Sequence, residues 1–67
     1  MGIIVALINA APALAMQIAS ILHESGSHDE ATQVERLLGE AKPLFRLVIE
    51  RSRQERGLPP LFPTPTE

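Results

Sequence analysis

The sequence predicts an all-α protein: an antiparallel helical hairpin, its second helix kinked near Pro43, followed by an extended proline-rich tail. Three observations lead there. From Gly2 to Leu22 no side chain is charged, and apolar residues recur at helical spacing. SGSHDE then supplies a helix stop and a helix start in six residues. Finally, LPPLFPTPTE holds four prolines in ten residues and cannot continue a helix. The reading places a hairpin at 1–57, with helices at about 3–25 and 28–56, and a tail at 58–67.

In the first helix Leu7, Leu14, Ile18 and Ile21 form an apolar stripe, with Ala11 filling its gap. Asn9, Ala13, Gln17, Ser20 and Glu24 fall opposite. Pro12 lacks an N–H and predicts either a kink or a fresh helix start. Gly26 marks the stop. Ser27 and Glu30 match the S-x-x-E capping box, in which the hydroxyl and the carboxylate each accept a backbone N–H. Val34, Leu38, Ala41, Phe45 and Val48 predict the buried stripe of the second helix, widened by Leu37, Leu44 and Leu47. Arg36–Glu40, Arg46–Glu50 and Arg51–Glu55 are spaced as i,i+4 pairs on its polar side. Pro43 predicts a kink within one helix, eased by Gly39 four residues earlier. Gly57 with Leu58 predicts a Schellman-type stop, and the tail runs as polyproline II.

Sixty-seven residues make one small, marginally stable domain. The chain has no cysteine, which excludes disulfides and thiolate metal sites. Phe45 and Phe62 are the only aromatics besides histidine, so the core must come from aliphatic side chains. Net charge is −2, which argues against bulk binding of nucleic acid. The charge is unevenly placed: residues 24–40 sum to −4 (five acids, one base) and residues 42–56 to +3 (five bases, two acids).

The uncharged opening admits three readings. As one helix its twenty-one residues would span about 30 Å, the thickness of a bilayer core. Only ten of them are Ile, Leu, Val or Met, however, and no Lys, Arg or aromatic belt flanks them. A secretion signal would have Ala13-Leu14-Ala15 as its cleavage motif but lacks a basic leading region. The third reading, a protein interface, fits best. Residues 3–8 are apolar on every side, and one partner helix cannot cover them. The partner-facing residues are then Ile3, Ile4, Val5, Leu7, Ile8, Leu14 and Ile18, joined by Leu61 and Phe62 of the tail.

Catalytic chemistry finds little to build on. His23 and His28 flank the turn near Glu24, Asp29 and Glu30, but their spacing matches no helical ligand pair, so they read as solvated turn residues. No phosphate loop, zinc spacing or nucleophile elbow is present. No metal or cofactor is expected, and the chain reads as no enzyme. Lys42, Arg46, Arg51, Arg53 and Arg56 read as a solvated face that complements the helix dipole. In RGLPPLFP an R-x-x-P-x-x-P ligand would need proline where Phe62 stands. The function expected is a structural or interaction subunit, oligomeric or part of a larger assembly such as a phage particle. Its partners would be other protein subunits or copies of itself. A small single-span membrane protein of holin-like scale is the alternative, with residues 3–22 in the bilayer. An adaptor acting through the proline tail is a third.

Overall fold

Pro12 and Pro43 decide how many helices there are. The structure, a computed structural model describing residues 2–62, contains α1 (Gly2–Ala10), α2 (Pro12–Glu24), α3 (His28–Ala41), a 3-10 turn (Pro43–Phe45) and α4 (Arg46–Glu55). Every element among the described residues is helical, so the chain is all-α. A proline ring pushes the residue before it out of the α region. Ala11 accordingly stands at φ −149°, ψ 73°, and Lys42 at φ −131°, ψ 81°. Each of them ends a helix. Pro12 opens α2 at its first turn, which is the fresh start. At Pro43 the expectation of one kinked helix is corrected: α3 stops at Ala41, and α4 is a separate helix beyond the 3-10 turn. Pro43 cannot donate to the Gly39 carbonyl, and the Arg46 side chain does so instead, with Nε–H donating at 2.9 Å.

Two glycines in the left-handed region close α2 and α4, as the sequence predicts. At Gly26 (φ 87°) the Gly26 N–H donates to the His23 carbonyl and the Ser27 N–H to the Leu22 carbonyl at 2.8 Å. At Gly57 (φ 74°) the Gly57 N–H reaches Gln54 and the Leu58 N–H reaches Arg53 at 2.8 Å. Both are Schellman stops. The first corrects the capping box. Ser27 is the N-cap of α3, but its side chain makes no capping bond, and its N–H, which Glu30 was to accept, is spent on Leu22. Ser27→Ala is therefore expected to cost under about 0.5 kcal/mol rather than the ~1 kcal/mol of a working cap, read from the thermal midpoint by circular dichroism.

Val34 and Leu38 are buried as their stripe suggests, but α2 and α4 bury other faces. In α2 the buried line is Ala15, Ala19 and His23, while Leu14 and Ile21 point outward. Small side chains let α2 and α3 approach closely, and these two make the most extensive helix pair in the fold. In α3 the buried set is Ala31, Val34, Glu35, Leu38 and Gly39. In α4 it is Ile49 and Arg53, because the 3-10 turn resets the helical register after Ala41 and turns Val48 outward. Ile8, Ala15, Leu38 and Ile49 form the core, with Phe45, Leu61 and Phe62 packed against it. At 9 and 13 residues, α1 and α2 are roughly 14 and 20 Å long. Among the described residues no helix is long and apolar enough to cross a membrane.

Candidate functional site

A chain of buried polar groups crosses the molecule. Glu35 on α3 is fully buried. Its Oε1 accepts from Arg53 Nη1 at 2.6 Å, and its Oε2 accepts from His23 Nε2 at 3.0 Å. That contact assigns the Nε2 hydrogen of His23. The Nδ1 atoms of His23 and His28 lie 2.8 Å apart, so one hydrogen serves the pair. Arg53 also donates to Thr32 Oγ1 at 3.1 Å and, through Nε, to the Pro59 carbonyl at 2.8 Å. Every ionic member has its partners, as a charge this deep requires. Among the described residues no buried side-chain nitrogen or oxygen lacks one.

This corrects the view of His23 as a solvated turn residue and of Arg53 as part of a solvated basic face; of the two histidines only His28 is exposed. A sequence signal existed. Ala31, Val34, Leu38 and Gly39 stand at −4, −1, +3 and +4 from Glu35, which places the carboxylate inside an apolar stripe. His23 likewise continues the line Ala15–Ala19 at i+4 spacing. Among the described residues no group of three His, Asp or Glu side chains is arranged to hold a metal ion.

The tail is laid against its own chain. Residues 58–62 return along α4, where Glu50 Oε2 accepts the N–H of Leu61 at 2.9 Å and that of Phe62. The Phe62 ring lies on Gly39, and the Arg46 guanidinium covers it at 4.8 Å from the ring centroid. Arg46 and Glu50 thus turn to the tail instead of to each other. Residues 63–67 of the expected tail lie outside the described residues.

The residues assigned to a partner interface divide three ways. Ile3 (83% exposed), Val5 and Leu14 stand outward. Ile4, Leu7 and Ile18 are half-buried. Ile8 belongs to the core, and Leu61 and Phe62 pack against it, so these three serve the fold of their own chain. Four further aliphatics that the sequence places in the apolar stripes stand exposed instead: Ile21, Leu44 (91% exposed), Leu47 and Val48. Their placement depends on the helix faces and on the break at Pro43. Leu14 and Ile21 lie two turns apart on the outer side of α2, and Leu44, Leu47 and Val48 cluster at the start of α4. A groove lined by Val5, Ile8, Asn9, Leu37, Glu40 and Ala41 opens between α1 and α3. Comparison with protein family models, with curated proteins and with solved structures finds no match for this chain.

Proposed function

We propose that this chain is a non-enzymatic structural subunit of a larger protein assembly. Its scaffold is a helical hairpin with a proline-rich tail, and it docks through the outer aliphatic face of α1 and α2. The observation that carries this reading is the set of seven large aliphatic side chains left exposed: Ile3, Val5, Leu14, Ile21, Leu44, Leu47 and Val48. In a chain of 67 residues such a surplus marks an interaction surface. The buried ion network supports the same reading. It fixes how α2, α3, α4 and the tail sit together, and so holds the aliphatic faces in a defined geometry for a partner. A polar carboxylate placed on that face would be desolvated at the interface without a partner.

The test is the native mass of the species containing this chain, measured for wild type and for Ile21→Asp purified from the same source. Wild type should run in a species several chains in mass. Ile21→Asp should run free with its helical circular dichroism unchanged, because Ile21 is 62% exposed and its loss leaves the core intact. A wild-type chain that runs alone and melts cooperatively in plain buffer overturns the proposal.

A further inference from the structure

The tail is held chiefly by side chains that read its backbone. Glu50 takes two successive N–H groups, from Leu61 and Phe62. Arg53 supplies a donor to the Pro59 carbonyl at 2.8 Å and is itself anchored by Glu35. The one aromatic ring has a seat made by the missing side chain of Gly39 and roofed by Arg46. Backbone hydrogen bonds along an extended segment, with a pocket for one large side chain, are how peptide-binding domains hold ligands from other chains. The Pro59–Pro60 pair keeps the segment extended before it docks. Gly57, exposed and at φ 74°, is the hinge from which the strap departs.

From this we infer that the cleft between α3 and α4 is a peptide-binding site for the Leu58–Phe62 segment, and that copies of the chain join by exchanging these tails. The occupant supplied in trans is the tail of a second copy, because it meets the same Glu50, Arg53 and Gly39 contacts that the chain's own tail makes. The attached tail competes at an effective concentration of roughly millimolar, so exchange is favoured where copies are crowded, as in an assembly. This rests on the reading of the chain as an assembly subunit but uses a surface separate from the aliphatic face.

The test mixes two full-length variants. Phe62→Ala keeps an open cleft but lacks the aromatic anchor. Gly39→Ala keeps the anchor but places a Cβ where the Phe62 ring sits, so its seat for that ring is obstructed. Each carried together with Ile21→Asp to silence the aliphatic face, mixed one to one and examined by analytical ultracentrifugation, they should form a two-chain species, doubling the mass, that neither forms alone. A mixture that sediments as the sum of its components overturns the inference. Association that is equal in wild type, in each variant alone and in the mixture belongs to the aliphatic face and also counts against exchange. Amide hydrogen exchange on the wild-type chain gives a check free of any folding defect. The Leu61 and Phe62 amides should exchange at least tenfold faster than those of Leu38 and Ile49, through opening of the strap alone. Equal rates would mean the strap never leaves its cleft without global unfolding, and would overturn the proposal. Because Ile21→Asp removes the aliphatic face and leaves Gly39, Glu50, Arg53 and the tail in place, failure of one reading is separable from failure of the other.

Discussion

Glu35→Ala should destabilise the chain severely at 25 °C, by about 3–5 kcal/mol. The carboxylate is fully buried and is the charged partner of Arg53, itself 5% exposed. Removing it strands a guanidinium in the interior and frees the His23 Nε2–H at once. Breaking a buried pair from one side costs about 3–5 kcal/mol. A domain of this length holds roughly 3–10 kcal/mol in total. The substitution therefore removes from roughly a third to all of its stability, and far-UV circular dichroism with denaturant titration reads the loss directly. The companion experiment replaces both charges, as Glu35→Leu with Arg53→Met. Without an orphaned charge the double variant should recover helical content, since well-packed apolar replacements of buried pairs are often neutral or stabilising. It should also loosen the tail, because Arg53 is the donor to Pro59. A Glu35→Ala chain with a wild-type denaturation midpoint would show that the network contributes nothing to the fold.

Ile8→Asp should be the other severe substitution, and its contrast with Ile3→Asp separates folding from docking. Sequence reasoning places both residues on one partner-facing segment. In the structure Ile8 is 1% exposed and packs with Ala15, Leu38 and Ile49, whereas Ile3 is open to solvent. A carboxylate at position 8 combines a lost core side chain with an unpaired buried polar group, a combination worth about 4 kcal/mol or more. Ile8→Asp should therefore lose its cooperative thermal transition. Ile3→Asp should shift stability by no more than about 0.5 kcal/mol while weakening association. If Ile8→Asp melts like wild type, α1 is not part of the core.

The local grammar of the chain was legible in its sequence because it depends on neighbours only. Pro12, Gly26, Pro43 and Gly57 mark every helix end at which backbone chemistry acts within a few residues, and both glycine stops form as their residues require. The error at Pro43 came from weighing its effect on the helix behind it without its steric effect on Lys42, which is also local and was readable. The capping box failed for a subtler reason: two motifs that overlap in SGSHDE compete for one N–H, and the Schellman stop takes it.

The faces of the helices were a different matter. On α2 the Leu14–Ile21 side is the more hydrophobic, yet the Ala15–Ala19–His23 line is the one buried, because its small side chains let α3 come close. Once that pairing is set, Leu14 and Ile21 have to stand outward. Composition and spacing by themselves determined that this chain is helical and that helices stop at Gly26 and Gly57. Only the tertiary structure decided that Glu35, Arg53 and His23 lie inside and that Leu61 and Phe62 pack against their own chain. The reason is physical: a helix end is settled by atoms a few bonds away, whereas burial of a charge depends on partners 12 and 18 residues distant that meet only after the chain has folded.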